Sequence, residues 1–241
     1  AIRERNSIMN PINDPMTWRS RLPWPGAEAH KHARGRLGVV SGGALSTGAA
    51  RLAARAGLRI GAGLVKVFCP LDAAPVLAST LEAVMLASFA TADQLATLAQ
   101  PMDAVVIGPA AGLTDATAAN VAALGRTGAA LVIDADALTL FRDRPGDLFG
   151  CLDRDDVLTP HEGELERLFP GLLAEGREPA AIEAAKRAGT VLVLKGCATV
   201  IAAPDGRCVV NGNGSPWLAT AGSGDVLAGM IGGLLAQHMD S

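Results

Sequence analysis

Short apolar runs alternate with alanine-rich helical stretches from Gly35 onward. Runs rich in β-branched and apolar residues are predicted as strands at 36–41, 64–69, 83–89, 104–108, 130–135, 156–160, 191–196, 199–203 and 207–211. Amphipathic helices are predicted between the earlier runs, at 47–57, 114–126 and 178–189. This alternation predicts an α/β fold, a three-layer α/β/α sandwich around a mainly parallel sheet, because parallel strands need crossovers that cover both faces. The last two runs are joined by the turn sequence Ala-Pro-Asp-Gly and predict a β-hairpin.

Composition places the chain among globular proteins. Its 241 residues suit one large domain or two small ones, and 49% of them are hydrophobic against 19% charged. The net charge is −3 without a dense Lys/Arg cluster, so nucleic acid and anionic membranes are poor candidates for partners. The four cysteines form no C-x-x-C pair and the N-terminus has no apolar signal region, so a cytoplasmic location is expected. We also expect a homo-oligomer.

The two ends of the chain differ from its middle. Residues 1–34 carry several prolines and no periodicity, and they are predicted to form a linker or N-terminal arm ahead of one domain at 35–241. The closing stretch 226–238 is apolar nearly all round, and a helix of that kind is normally buried between other elements. We therefore expect this helix to expose an apolar face, and we expect a domain truncated at Ser241.

Glycines and polar residues cluster just after the predicted strands, at the edge where parallel α/β sheets bind their ligands. The run VVSGGALSTGAA lies in a suitable place for a dinucleotide but lacks the G-x-G-x-x-G spacing. A Walker A string is absent as well, so hydride-transfer dehydrogenases and P-loop NTPases are disfavoured.

The run ATAGSGDVLAG places one carboxylate, Asp225, in a glycine-rich turn ahead of an apolar helix predicted to begin at Val226. Gly222 and Gly224 allow a backbone curl whose N–H groups point one way, and the helix adds its positive end, which together suit a phosphate. A carboxylate would repel that phosphate unless it takes a proton from an attacking hydroxyl. The favoured interpretation of Asp225 is a general base, and the alternative is an acidic residue that only stabilises a helix N-terminus.

The run TPHEGELERLF offers His161 and three acidic residues just after a strand. Glu164 is predicted to help place a Mg²⁺ ion that bridges phosphates, because hard oxygen ligands suit that ion. Glu162 and Glu166 are interpreted as solvated acids that only stabilise the helix N-terminus.

Three further charged residues lie at strand ends. Lys195 follows an apolar strand and is expected to reach a nucleotide phosphate as a point charge, although a strand-end lysine can also extend into solvent. Asp134 and Asp136 follow another strand, and each can hold either a ligand or a neighbouring loop.

The motifs together resemble a known enzyme family. ATAGSGDVLAG resembles the G-[TS]-G-D signature of the ribokinase-like superfamily, whose Asp is the catalytic base of phosphoryl transfer. A narrower resemblance, to the ADP-dependent NAD(P)H-hydrate dehydratase family, covers nearly the whole chain from about Lys31 to Gln237. It is carried, in order, by HKHARGRLGVVSGG, TGAARLAARAGLRIGAGLVKV, VVIGPAAG, VIDADAL, LTPHEGELERL, LKGCATV and SPWLATAGSGDVLAG.

This resemblance implies a ribokinase-like fold and a repair enzyme for damaged cofactors. The implied substrate is the S epimer of NADH hydrate or NADPH hydrate, whose C6 hydroxyl is phosphorylated by ADP, or by ATP in some relatives, with Mg²⁺. Phosphate then leaves, so that NAD(P)H is restored and AMP and phosphate are released. Asp225 corresponds to the catalytic base. The implied hydrate-binding residues are Ala49, Gly112, His161 and Asp225. The implied nucleotide-binding residues are Lys195, Gly196, Cys197, Ala198, Thr199, Ser215, Ala221, Gly222, Ser223 and Gly224.

The chain departs from the family pattern at two positions. Many relatives have Pro where Glu162 stands and Asn where Ser215 stands, so a looser turn and a changed ADP contact are expected. The resemblance also implies a fused or partner NAD(P)H-hydrate epimerase, since many bacterial relatives are such fusions and the arm 1–34 is similar to their linkers.

Two other functions stay open at this point. A kinase of the same superfamily, acting on a sugar or a vitamin precursor, would share the base and the anion hole. A nucleotide-binding sensor without turnover would bind ADP but would need no carboxylate at Asp225.

Overall fold

A computed structural model describes residues 11–238, and a nine-stranded sheet forms the centre of that part of the protein. The strands are β1 Arg36–Val40, β2 Leu64–Cys69, β3 Met85–Ser88, β4 Ala104–Ile107, β5 Ala130–Ile133, β6 Val157–Leu158, β7 Val191–Leu194, β8 Thr199–Ala202 and β9 Cys208–Asn211. Their order across the sheet is β3-β2-β1-β4-β5-β6-β7-β8-β9. β1 to β7 are parallel, whereas β8 is antiparallel to both β7 and β9. The mainly parallel sheet and the C-terminal hairpin are therefore confirmed.

Helices cover both faces of this sheet. The α-helices are α1 Pro15–Trp18, α2 Gly48–Ile60, α3 Ala74–Ala78, α4 Ala92–Ala99, α5 Asp115–Leu124, α6 Asp136–Thr139, α7 Pro145–Phe149, α8 Glu162–Leu168, α9 Arg177–Ala188 and α10 Ser223–Ala236. Short 3₁₀ turns lie at Arg19–Arg21, Lys31–Arg34, Leu172–Glu175 and Pro216–Leu218. One hydrophobic core joins the sheet to α2, α3 and α10, and a second joins it to α4, α5, α8 and α9. These three layers are the predicted sandwich.

Several strands are shorter than the apolar runs predict. The run at 156–160 forms a regular strand only at Val157–Leu158. Beyond it, the Thr159 N–H still donates to the Ile133 carbonyl at 3.1 Å, and the Pro160 carbonyl accepts the Lys195 N–H at 2.8 Å before the chain turns into α8. The residues that the runs at 36–41, 104–108, 130–135 and 191–196 placed after the observed strands lie at the carboxyl edge of the sheet, the edge where such sheets bind ligands.

The helix α10 begins at Ser223, earlier than the predicted start at Val226. Gly222 is its N-cap residue and adopts φ +90°, a left-handed conformation that glycine tolerates and other residues rarely adopt. Asp225 consequently lies inside the first turn of α10 and not in a loop ahead of it.

Small residues let α10 pack closely against α2. A Cβ on Gly229 would lie 2.2 Å from the carbonyl oxygen of Ala53, and one on Gly233 would lie 3.0 Å from Cα of Gly57. Beside this contact, Met230 of α10 lines a groove with Leu52 and Ile60 of α2 and stays 38% exposed. Among the described helices, none is long and apolar enough to cross a membrane.

The N-terminal arm is described from residue 11 onward, and Ile12 and Asn13 lie along the edge of the sheet. Ile12 forms a parallel bridge with Val210 of β9, and the backbone N–H of Asn13 donates to the Val210 carbonyl at 2.8 Å. This pairing covers backbone groups of the last strand, which would otherwise be an open edge.

Candidate active site

Charged side chains from three elements meet at the carboxyl edge of the sheet. Lys195 follows β7, and its Nζ lies 2.6 Å from Oδ1 of Asp134, which follows β5. The same Nζ lies 3.9 Å from Oε2 of Glu164 in α8. Asp134 and Glu164 are only 2% and 6% exposed, so the lysine charge is matched by two buried carboxylates. Of the two roles open for Asp134, the structure shows it holding a residue of a neighbouring loop.

Asp225 lies beside this cluster, in the first turn of α10. Burial raises the pKa of the Asp225 carboxyl above its ordinary value, and the negative charge of Asp134 raises it further, while Lys195 acts in the opposite direction. A carboxylate with a raised pKa is a stronger base than an ordinary aspartate. The same turn presents backbone N–H groups that have no acceptor inside the helix, because the first N–H groups of any helix lack one. A proton acceptor and an anion site therefore occupy one turn.

The two glycines of this turn have different structural requirements. A Cβ on Gly222 would lie 2.6 Å from Cδ1 of Leu52, and φ at Gly222 is +90°, so the fold itself requires glycine there. A Cβ on Gly224 would lie 3.7 Å from Nζ of Lys195 and 3.9 Å from Oδ2 of Asp134, which are ordinary contact distances. The fold does not require glycine at Gly224, so that position leaves room for a ligand to approach the backbone.

His161 and Glu164 form a reciprocal capping box at the start of α8. The backbone N–H of Glu164 donates to Nδ1 of His161 at 3.2 Å, and the backbone N–H of His161 donates to Oε2 of Glu164 at 2.9 Å. Since Nδ1 accepts a hydrogen bond, the proton of the neutral imidazole lies on Nε2. The His161 side chain is 54% exposed, which leaves it accessible from the site.

The donor chemistry near Lys195 fits the expected Mg²⁺ in part. In the described part of the chain, no group of three or more His, Cys, Asp or Glu side chains is arranged to hold a metal. Mg²⁺ commonly needs only one or two carboxylates together with phosphate oxygens and waters. Glu164 and Asp134 supply two buried carboxylates within reach of the same ammonium group.

The predicted hydrate-binding residues of the first half of the chain lie on neighbouring loops. Ala49 is in the first turn of α2, and Gly112 lies in the loop after β4 with φ +86°. The two loops touch, because a Cβ on Gly42 would lie 2.0 Å from the carbonyl oxygen of Ala110. The carboxylate of Asp136 accepts the backbone N–H of Gly112 at 2.8 Å, so this aspartate holds a neighbouring loop.

The predicted nucleotide-binding residues form a second group of adjacent loops. The β7–β8 loop, residues 195–198, exposes Gly196 and Cys197. It approaches the segment before α10, since a Cβ on Gly214 would lie 3.1 Å from the carbonyl oxygen of Cys197. Thr199 closes the loop by donating its hydroxyl to the Gly196 carbonyl at 3.2 Å.

The remaining residues of that group precede α10 or begin it. The hydroxyl of Ser215 accepts the backbone N–H of Trp217 at 3.3 Å, so its side chain caps a 3₁₀ turn. Ser223 donates its hydroxyl to the Thr220 carbonyl at 2.9 Å, and Ala221 is exposed.

Sequence reasoning missed Arg177, the first residue of α9. Its guanidinium donates to the carbonyl oxygens of Leu194, Lys195 and Ala198, and it pairs with Glu162. Glu162 is therefore an ion-pair partner and not only a solvated helix-end acid. Nothing local in the sequence signals the pair, because the two residues lie 15 positions apart on different helices.

Comparison with known proteins identifies relatives of the chain. The chain is 43% identical over 220 residues to the bifunctional NAD(P)H-hydrate repair enzyme of Gloeobacter violaceus, covering 88% of this chain and 42% of that enzyme. It is 36% identical over 239 residues to the ADP-dependent (S)-NAD(P)H-hydrate dehydratase of Xanthomonas campestris, covering 91% of this chain and 78% of that enzyme. The chain thus spans less than half the length of the bifunctional relatives that it matches.

A solved structure gives the same result at the level of the fold. The ADP/ATP-dependent NAD(P)H-hydrate dehydratase of Bacillus subtilis, co-crystallised with ATP and Mg²⁺, superposes with a TM-score of 0.79 at 27% identity. The match covers 97% of this chain and 87% of that one. The profile of the NAD(P)H-hydrate dehydratase family matches residues 37–241. The chain therefore belongs to the NAD(P)H-hydrate dehydratase family.

Proposed function

We propose that this protein dehydrates the S epimer of NADH hydrate or NADPH hydrate in a reaction that consumes ADP, or ATP, and restores the dihydropyridine ring. The observation that carries the proposal is the position of Asp225, a carboxylate with a raised pKa in the turn that presents an anion site. A helix N-terminus binds the phosphoryl group, and the neighbouring base takes the proton of the attacking hydroxyl.

In the first step, the C6 hydroxyl of the hydrate attacks the β-phosphorus of ADP. Asp225 receives the hydroxyl proton, the new O–P bond forms, and the bond between the β-phosphorus and the bridging oxygen breaks to release AMP. The N–H groups at the start of α10 donate hydrogen bonds to the phosphate oxygens, and Lys195 is proposed to donate one of its remaining N–H bonds to them.

In the second step, the C6–O bond of the phosphorylated intermediate breaks. Phosphate departs far more readily than hydroxide, and the lone pair of the ring nitrogen supplies the electrons that expel it. The neighbouring C5 then loses a proton to the departing phosphate, so that the C5–C6 double bond of NAD(P)H is restored. The products are NAD(P)H, AMP and phosphate, and the atoms balance.

We propose Glu164 as the side chain that would hold Mg²⁺, which when bound would neutralise phosphate charge. The capping box holds one edge of Glu164 in place, and Lys195 holds Asp134. His161, Ala49 and Gly112 are proposed to contact the hydrate.

Because the proposed reaction uses one epimer only, an epimerase that converts the R epimer is the partner that this chemistry calls for. The relatives described as bifunctional repair enzymes favour such a partner. The homo-oligomer and the cytoplasmic location stay predictions.

The test is an assay of the purified protein with hydrated NADH or NADPH and each nucleotide. We expect a rise in near-ultraviolet absorbance from the restored dihydropyridine, together with release of inorganic phosphate. A stable phosphorylated hydrate would indicate a kinase, and nucleotide binding without any product would indicate a sensor.

A further inference from the structure

Arg177 lies beneath the loop 195–198. One terminal nitrogen, Nη2, donates to the carbonyl oxygens of Leu194 and Lys195, each at 3.2 Å, and of Ala198 at 3.1 Å. The other, Nη1, donates to Oε1 of Glu162, the first residue of α8. The guanidinium of Arg177, which belongs to α9, therefore links both ends of the loop to Glu162 of α8.

The hydrogen bonds of Arg177 orient the loop backbone. A trans peptide places the carbonyl of one residue and the N–H of the next on opposite sides, and the described chain contains no cis peptide bond. Because the Lys195 carbonyl points to Arg177, the N–H of Gly196 points away from it, toward the exposed side of the loop. Arg177 thus turns a backbone donor outward, beside a lysine whose Nζ lies in the charged cluster.

Arg177 also accounts for the glycine in this loop. A Cβ on Gly196 would lie 2.4 Å from Nη2 and 2.8 Å from Nη1 of Arg177, and φ at Gly196 is not in the left-handed region. Any larger residue there would have to displace the guanidinium from the position in which it holds the loop.

We propose that Arg177, held by Glu162, is a positioning residue that sets the loop 195–198 in the conformation that binds the nucleotide. A loop ordered before binding loses less conformational entropy when the ligand arrives. Arg177 touches the loop and not the ligand, so its loss lowers nucleotide affinity without changing recognition of the hydrate. This inference rests on the nucleotide use proposed above.

Glu162 can be tested without disturbing its helix. It is the first residue of α8, a position where proline is tolerated because the missing N–H has no acceptor in the helix. The preceding residue, His161, has the extended conformation that residues before proline prefer, with φ −83° and ψ 172°. Glu162→Pro therefore removes the carboxylate and should leave the helix start intact.

The experiment measures the dissociation constant of ADP by calorimetry, the KM for the hydrate and the melting temperature. Arg177→Ala should raise the ADP dissociation constant on the order of tenfold or more, since hydrogen bonds from a charged donor are lost. Arg177→Lys should restore part of the affinity, and Glu162→Pro should have a smaller effect than Arg177→Ala. The KM for the hydrate should stay within about twofold of the wild-type value. Such a change is smaller than the roughly tenfold change expected when one hydrogen bond from a charged donor to a ligand is lost.

The matched control is Arg187→Ala. Arg187 lies on the same helix and pairs with Glu183 at 2.8 Å, but that pair is at the surface. This variant should change none of the three quantities, because exposed ion pairs contribute little.

A double-mutant cycle tests the role of Gly196. If the added methyl group of Gly196→Ala meets only the guanidinium, Gly196→Ala combined with Arg177→Ala should bind ADP no more weakly than Arg177→Ala alone. Additive losses would mean that the nucleotide itself needs the glycine, against our explanation of that residue.

The positioning role is overturned if Arg177→Ala lowers the melting temperature and leaves the ADP dissociation constant unchanged, or if the wild type binds neither ADP nor ATP. A wild type that binds ADP but does not convert the hydrate would overturn the proposed reaction alone. In that case the calorimetric comparison would still decide the role of Arg177.

Discussion

The first turns of α8 and α10 have the same layout but use their acidic residue differently. Each helix starts at the carboxyl edge of the sheet and carries an acidic residue at its third position, Glu164 in α8 and Asp225 in α10. In α8 the N-cap residue is His161, and Glu164 closes a capping box with it. In α10 the N-cap residue is Gly222, which has no side chain to form such a box.

From this difference we expect Asp225, whose carboxylate is not part of a capping box, to be the residue available as a proton acceptor. The carboxylate of Glu164 satisfies the backbone N–H of His161. Among the described residues, no side-chain cap forms at the start of α10, and the pKa of Asp225 is raised by burial and by the charge of Asp134. The two helix starts therefore predict different effects of removing their acidic residue.

The largest expected effect is the loss of turnover when the carboxylate of Asp225, which is not part of a capping box, is replaced by a neutral amide. Asp225→Asn keeps the size of the side chain but removes its basicity, so turnover should fall by on the order of a hundredfold or more. ADP binding should persist or tighten, because one negative charge near the phosphates is gone. Steady-state kinetics and calorimetry on the same preparation check both parts, and near-normal turnover would contradict the role of general base.

Alanine substitution at Gly222 and at Gly224 should change the free energy of unfolding in opposite directions. Gly222→Ala should destabilise the protein by about 1–2 kcal/mol, the cost of a left-handed conformation for a residue with a Cβ, and contact with Leu52 adds to it. Gly224→Ala should leave stability unchanged or raise it by up to about 1 kcal/mol, since alanine favours helices.

ADP affinity should also change at Gly224, where the Gly224→Ala methyl group enters the space left for the ligand. A loss of about tenfold is expected, equivalent to about 1.4 kcal/mol. Chemical denaturation and calorimetry measure the two quantities separately. Equal ADP affinity in Gly224→Ala and the wild type would place the phosphate elsewhere.

At α8 the expected effect is on stability. Glu164→Ala breaks the capping box and should lower the free energy of unfolding by about 1 kcal/mol. Glu164→Gln can still accept the His161 N–H, so it should recover most of that loss. If Glu164 also holds Mg²⁺, the Gln variant should need more Mg²⁺ for half-maximal turnover. Equal destabilisation by Ala and Gln would mean that the charge, and not the cap, is what stabilises α8.

The smallest expected effect is a pH dependence of stability at Asp225. Because its pKa is raised in the folded protein, the folded state holds that proton more tightly than the unfolded chain. The resulting stabilisation is fully present below the ordinary pKa of 3.8 and is lost as pH rises through the raised pKa. Asp225→Asn should therefore become more stable than the wild type as pH approaches neutrality. A variant that melts below the wild type there would indicate a carboxylate that only stabilises the helix end.

The layers and the hairpin were predictable from the sequence, because strands, helices and tight turns each depend on the pattern of residues close together in the chain. The turn around Asp225 was predictable for the same reason, although the start of α10 was placed too late. The left-handed conformation of Gly222 determines where α10 begins, and the residues after Gly222 do not indicate that conformation.

The side-chain pairs of the site were not predictable in this way. Lys195 and Asp134 lie 61 positions apart, and they meet because β5 and β7 both flank β6. Whether an aspartate after a strand holds a ligand or a loop depends on that strand order, which local pattern does not contain. For the same reason, the role of Asp136 was left open and Arg177 was missed.

The measurement that tests the central claim most directly is the pH dependence of kcat, with both substrates saturating, for the wild type and for Asp225→Asn. The wild type should lose activity as pH falls through a pKa above the ordinary aspartate value of 3.8, because the base must be deprotonated to accept the hydroxyl proton. Titration of the nucleotide affects both proteins equally, so it cancels in the comparison. The residual activity of the Asn variant should lack the acid limb that belongs to Asp225. An acid limb of the same position and depth in both proteins would show that another group is the base.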